Sequence, residues 1–267
     1  MEVETERAAM AESSSRAALD RDGYCVIPDV LSRRQTQELR DRVLTQAAAE
    51  RAGGLDKHVY DDGASQRVWV LVNKGRVFTE LVRHPSALEF ARFLLGREPL
   101  LSSAQANVVG PGGAPMFIHP EQGFMPGPWP PYPMIASVIW LLDDFTVRNG
   151  ATEVIAGSHH QTGFDPAAGV GTAVPVCAAA GSMMVMDGRL LHRSGVNRVP
   201  ASLRCAIIVN YCQPFLRQQE NYFLSATPEV AADESLRALL GYVPRNGYGL
   251  IKSPEHERER QVSREST

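Results

Sequence analysis

The apolar positions of the chain change rhythm near residue 99. Before that point they recur at helical spacing. Ser32 is a plausible N-cap, Leu39 and Val43 follow one turn apart, and Gly53-Gly54 closes the run. The stretch FTELVRHPSALEFARFLLG is amphipathic and helical, broken near Pro85 and ended by Gly96. Ahead of these lies YCVI, a short strand stopped by Pro28, and between them RVWVLVNKG alternates weakly and reads as a strand or a short helix. After residue 99, short apolar runs alternate with Gly/Pro turns: LLSSAQANVVGPGG, APMFIHPEQG, MIASVIWLLDDF, TEVIAGSH, GSMMVMDGRLLHRSG and LRCAIIVNYCQPF. Strands at this spacing predict a sandwich or barrel, and DESLRALLGY adds a short helix. No repeat and no composition shift marks a second domain. The expectation is a mainly β protein with residues 1–16 disordered and residues 17–267 as one domain. Within it lie a helical layer over about 17–98, a β core over about 99–215 and a helical tail over about 216–267.

Composition narrows the function classes. Of 267 residues, 44% are apolar and 21% charged, with a net charge of −3, so no basic surface advertises nucleic acid. No apolar run approaches the roughly 20 residues of a membrane helix. The acidic N-terminus lacks the apolar segment of a secretory signal and reads poorly as a transit peptide. Cys25, Cys177, Cys205 and Cys212 form no CxxC pair and are expected to be free thiols. A cytoplasmic protein with a small-molecule partner, and neither membrane nor nucleic acid, is the expectation.

The stretch FIHPEQG raises the possibility of metal chemistry. In an extended chain, residues i and i+2 share a face, so His119 and Glu121 would project together while Pro120 points away. Pro lacks an N–H for a ladder, so this must be a strand end or edge. A lone HxE is common by chance and needs a third ligand. His192, at the end of the predicted strand in VMDGRLLHRSG, is the candidate. Two histidines and a carboxylate on one face leave three positions open, a geometry suited to non-haem Fe(II) enzymes that activate oxygen. Such enzymes commonly consume a keto acid, whose far carboxylate needs a planar, permanently charged fork. Arg204 interrupts SLRCAIIVNY and would share one strand face with Ala206, Ile208 and Asn210, entering the barrel. Ser194 could add a hydroxyl.

HxE, then His, then Ser two residues later and Arg twelve later, resembles the phytanoyl-CoA dioxygenase family of Fe(II)- and 2-oxoglutarate-dependent oxygenases. GYCVIPDVLSRRQTQELRDRV, FTVRNGATEVIAGSHHQTG and LLHRSGVNRVPASLRCAIIVNY are similar to its segments. The resemblance implies a double-stranded β-helix, a jelly-roll of cupin type, with Fe(II), 2-oxoglutarate and O2 as cofactor and co-substrates. It implies His119, Glu121 and His192 as iron ligands, Arg204 and Ser194 at the C5 carboxylate, and Thr152 facing the co-substrate pocket. Arg67, Gln105 and Asn107 are further pocket candidates. Hydroxylation of a C–H bond in a small apolar molecule, such as a secondary metabolite, is the default outcome, with desaturation, epoxidation or rearrangement as variants. MPGPWPPYP is expected to form a loop over the pocket mouth, with Phe124, Trp129 and Tyr132 contacting substrate. Two departures stand out. The family's carboxylate is usually Asp, not Glu, and a Gln common three residues before the first His is Met116 here. A carboxylate at 121 argues against halogenation, since halogenating relatives replace it with Gly or Ala. A non-catalytic or metal-only barrel of the same fold is the competing reading.

Overall fold

The computed structural model describes residues 13–55, 58–60, 63–112, 115–163, 171–245 and 247–250. A helix, α1, occupies residues 13–22, so order begins earlier than residue 17; residues 1–12 of the expected disordered start lie outside the described residues. Strand β1 (Tyr24–Ile27) and helix α2 (Arg33–Ala52) follow. Ser32 caps α2 in a reciprocal box: its hydroxyl accepts from the Gln35 N–H, and the Gln35 side chain accepts from the Ser32 N–H. Leu39, Val43 and Ala47 form its buried stripe, at the one-turn spacing the sequence shows. Strands β2 (Val59–Tyr60) and β3 (Ser65–Val68) lead to α3 (Arg76–Leu81) and α4 (Pro85–Leu95). Pro at the first position of α4 and left-handed Gly96 at its end explain both boundaries. The expected helical layer therefore also supplies three strands, because the barrel needs them to extend its large sheet.

The core strands are β4 (Leu100–Val109), β5 (Ile135–Leu141), β6 (Thr152–Val154), β7 (Val174–Pro175), β8 (Met183–Asp187), β9 (His192–Ser194) and β10 (Arg204–Cys212). They form a seven-stranded antiparallel sheet in the order β1-β8-β5-β10-β4-β3-β2, faced by a three-stranded sheet β7-β6-β9. Three short helices follow: α5 (Tyr222–Ser225), α6 (Pro228–Ala232) and α7 (Glu234–Arg237). This is a mainly β jelly-roll, as expected. Among the described residues no helix is long and apolar enough to cross a membrane.

The large sheet is buried on both faces, which explains why its strands read as continuous apolar runs. Ala104, Ala106 and Val108 of β4 share a cluster with Cys205, Ile207 and Val209 of β10, and helix residues Leu39, Val43 and Phe90 complete it. The alternate residues turn inward, where Ile139, Leu141, Met184, Met186 and Ala206 form a second cluster. That inner face also carries the polar positions Arg67, Gln105, Asn107 and Arg204, which border a cavity.

Candidate functional site

The cavity has a volume of about 500 Å³ and opens between the two sheets. His119, Glu121 and His192 meet in its wall, with one ligand atom from each lying within 4.8 Å of the others. The backbone explains the meeting. His119 and His192 form an antiparallel bridge, each N–H donating to the other's carbonyl at 3.0 Å, which sets the two rings 4.6 Å apart. The segment is not a strand beyond that pair. At Glu121 the chain turns into a 3-10 helix, Glu121–Phe124, and Pro120 is buried. The convergence of His119 and Glu121 therefore comes from a bend after one extended residue, not from i, i+2 alternation along a strand. Gln122 secures the bend: its N–H donates to the Gly188 carbonyl at 2.7 Å, and its side-chain oxygen accepts from the Met134 N–H at 2.9 Å.

The donor set fits a divalent metal. Nδ1 of His119 lies 2.9 Å from the Phe117 carbonyl, and Nδ1 of His192 lies 3.0 Å from the Leu190 carbonyl. A carbonyl only accepts, so each Nδ1 carries the proton and each Nε2 keeps its lone pair for the cluster. Burial, then the neighbouring His192, lowers the pKa of His119 and favours the neutral ring a metal requires. Burial opposes ionisation of Glu121. The interaction with His192, 3.6 Å away, and the electrostatic pull of His119 and Arg67 outweigh it, so the carboxyl ionises below its usual range. Asn210 donates to Glu121 Oε2 at 3.0 Å and orients the carboxylate. Asn210 and Gln122 are absent from the sequence-derived site. The former was accessible through its shared strand face with Arg204; the latter had no signal.

The second feature is an arginine. Arg204 is 2% exposed, its Nη2 donates to Ser194 Oγ at 2.5 Å, and its guanidinium lies over the Phe145 ring at 4.5 Å. Its Nε has no partner among the described residues, and burial brings its pKa down to about 10. Nearby Asp143 is occupied by Arg40 and the Cys205 N–H. A fork in this state fits an incoming carboxylate. Thr152 pairs directly with Ser194 across β6 and β9, so both border the same end of the cavity as Arg204. The NGAT turn makes this register feasible: a Cβ on Gly150 would stand 2.5 Å from the Gly195 carbonyl oxygen, and Gly150 has φ +78°.

Arg67, Gln105 and Asn107 also line the cavity, Arg67 donating to Gln105 at 3.0 Å and to the Met116 sulfur at 3.3 Å. Met116 thus keeps a polar contact at the site. Phe124 lines the mouth, mostly exposed, but Trp129 and Tyr132 do not line the cavity. Trp129 is buried, its Nε1 donating to the Met125 carbonyl at 3.0 Å, and Tyr132 faces outward, half exposed. The four cysteines are free.

The model of the family described as phytanoyl-CoA dioxygenase matches residues 19–205. The chain belongs to that family. Dioxygenase af480 of Aspergillus fumigatus is 32% identical over 214 residues, covering 78% of this chain and 69% of that protein. Among solved structures, EctD from S. alaskensis with bound Fe shares 25% identity with a TM-score of 0.62, covering 74% of this chain and 75% of its own. The non-heme alpha ketoglutarate dependent epimerase SnoN from nogalamycin biosynthesis shares the fold at 22% identity and a TM-score of 0.62, covering 84% of this chain and 92% of its own. The protein is accordingly an enzyme, an iron- and 2-oxoglutarate-dependent dioxygenase using O2.

Proposed function

We propose that this dioxygenase hydroxylates a C–H bond of a small, largely apolar molecule of secondary metabolism, with His119, Glu121 and His192 holding iron. Arg204 and Ser194 would hold the far carboxylate of 2-oxoglutarate, with Thr152 beside it. One observation carries the reading: a buried arginine, without a carboxylate partner among the described residues, faces the same cavity as a two-histidine, one-carboxylate cluster. Bound together, iron and the keto acid supply dioxygen reduction coupled to decarboxylation. The chain supplies placement. The Phe117 and Leu190 carbonyls fix two imidazole tautomers, Asn210 aims the Glu121 carboxylate, and Arg204 receives a dianion in a fork. Trp69, Ile139, Val109 and Ile208 border the remaining space and keep water from the reacting C–H bond.

Anaerobic titration with Fe(II) and 2-oxoglutarate tests this through the weak visible charge-transfer band of the ternary complex. The band should form in the wild type. Arg204→Lys keeps the charge but loses the fork, so 2-oxoglutarate affinity should fall roughly tenfold or more, the scale of a charged hydrogen bond. Unchanged affinity would place Arg204 outside the co-substrate site. Iron binding without any band would leave a metal-only barrel.

A further inference from the structure

We propose that Glu220 is a positioning residue for the substrate pocket: its side-chain oxygen stands in for the missing end of β3 and holds Trp69 and Gln219 as the wall on that side. The proposal takes from the reading above only that this cavity receives the substrate. Strand β3 pairs with β4 as far as Val68, which stands opposite Ala106. In the same register Trp69 would next face Gln105, and Val70 would face Ala104. Just outside the other end of β3, Gly110 donates to the Ala64 carbonyl at 2.6 Å. Antiparallel bonding repeats every second residue, so a Val70–Ala104 pair would also exchange backbone bonds. That pair does not form. Val70 turns left-handed, with φ 53° and ψ 53°, a conformation that a β-branched residue rarely adopts. The strand leaves the sheet at Trp69, and the Val70 and Ala104 amides lose the partners a continued ladder would give them.

One oxygen replaces both partners. Glu220 Oε1 accepts from the Val70 N–H at 3.1 Å and from the Ala104 N–H at 3.4 Å. The chain around it continues the substitution along β4. The Glu220 N–H donates to the Ser102 carbonyl at 2.9 Å, the Gln219 N–H to Ser102 Oγ at 3.2 Å, and Gln218 Nε2 to the Leu101 carbonyl at 2.7 Å. Residues 218–220 thus take the place beside β4 that β3 gives up. This brings Gln219, from beyond the last strand, to the same cavity wall as Trp69. Glu220 is not part of that wall and is 7% exposed. A carboxylate is a poor choice for packing here. Burial pushes its pKa up to about 7, against the pull of Tyr222, the two N–H groups and Lys74. Lys74 is itself engaged by Glu50 at 2.6 Å, and Glu220 Oε2 has no partner among the described residues. An apolar side chain would avoid that burial, so the acceptor is what the position requires.

Two magnetic-resonance measurements test this. In the wild type, hydrogen exchange at the Val70 amide should be slowed on the order of 100-fold relative to the unfolded chain, the scale of a bond to a charged acceptor. Exchange at the unfolded-chain rate would overturn the proposal without any variant. The second measurement replaces the tryptophans by 5-fluorotryptophan, with Trp69→Phe identifying the Trp69 signal. Fe(II) bound at the cluster shifts nearby fluorine signals, steeply with distance, so the iron-induced shift of Trp69 reports its place in the wall. Glu220→Gln keeps a side-chain oxygen for the two amides and should keep that shift. Glu220→Met fills similar space without the acceptor and should lose most of it, while 2-oxoglutarate affinity, read from the charge-transfer band, stays within about twofold. An unchanged Trp69 shift in Glu220→Met would overturn the proposal. So would a Glu220→Gln protein that loses the shift equally, since a shared acceptor would then not be what holds Trp69. Should Glu220→Met fail to fold, the exchange result and Glu220→Gln decide alone. If no fluorine signal responds to Fe(II), the metal reading fails, and the exchange measurement still decides the role of Glu220.

Discussion

Arg67, Gln105, Asn107 and Arg204 reach the cavity from hydrogen-bonded strands, each with a partner residue opposite it. His119 and Glu121 reach the same cavity from a segment that makes one bridge pair and then turns into a 3-10 helix. In the first region, side-chain direction follows from strand period alone, and a ladder resists its change. In the second it depends on a few individual bonds: the paired His119 and His192 amides, the Gln122 contacts, and the Asn210 bond to Glu121. The strand-borne side of the cavity is thus held by a repeating scaffold, and the side that carries His119 and Glu121 by specific contacts. Substitutions should separate the two.

The largest effect is expected where the halves join, at His192. Its backbone belongs to β9 while its ring completes the cluster. His192→Ala should lower iron affinity on the order of 100-fold or more, since losing even a partner behind a ligand costs 10- to 100-fold. The backbone bridge to His119 does not need the ring, so the thermal transition should stay cooperative. Retention of tight iron binding, measured by chelator competition, would show that the cluster is not the metal site.

A smaller effect is expected from Glu121→Asp. The carboxylate would retract by about one bond length, roughly 1.5 Å, from both Asn210 and the histidines. Iron affinity and 2-oxoglutarate turnover should each fall roughly tenfold. Asn210→Leu should cost a similar amount alone but little more on top of Glu121→Asp, because the shortened side chain no longer reaches the amide. Increased turnover in Glu121→Asp would mean that the longer residue is a worn aspartate and that the bend is not fitted to it.

This contrast also explains what could be read from the sequence. Arg204 was legible because a charged residue interrupting an apolar strand has a predictable face, and Gln105 and Asn107 follow the same parity on β4. The helix limits at Ser32, Gly53 and Gly96 were legible because capping chemistry is local. His119 and Glu121 were found from their spacing, but the strand supposed to align them is absent; the bend depends on the bonds that Gln122 makes to Gly188 and Met134, which lie farther along the chain. Asn210 could have been added by asking which residue on the Arg204 face satisfies a buried carboxylate. The proline-rich segment gave no periodicity at all, so its aromatics were assigned by composition, and composition does not say which way a ring points.

Trp129 gives the smallest and most discriminating test of that last point. The residue is buried, and its indole N–H is used by the Met125 carbonyl. Trp129→Phe keeps most of the apolar bulk and removes that donor. The cost should be about 1 kcal/mol of stability, the net worth of one hydrogen bond, seen as a small drop in the denaturation midpoint. Substrate KM should stay within about twofold, because the ring is not part of the cavity wall. Phe124→Ala supplies the internal control: Phe124 lines the mouth and is mostly exposed, so its loss should raise KM a few-fold and leave stability nearly unchanged. If the two variants exchanged behaviour, with Trp129 governing KM and Phe124 governing stability, the loop would close over bound substrate, and the segment would take its direction from the ligand as well as from its own contacts.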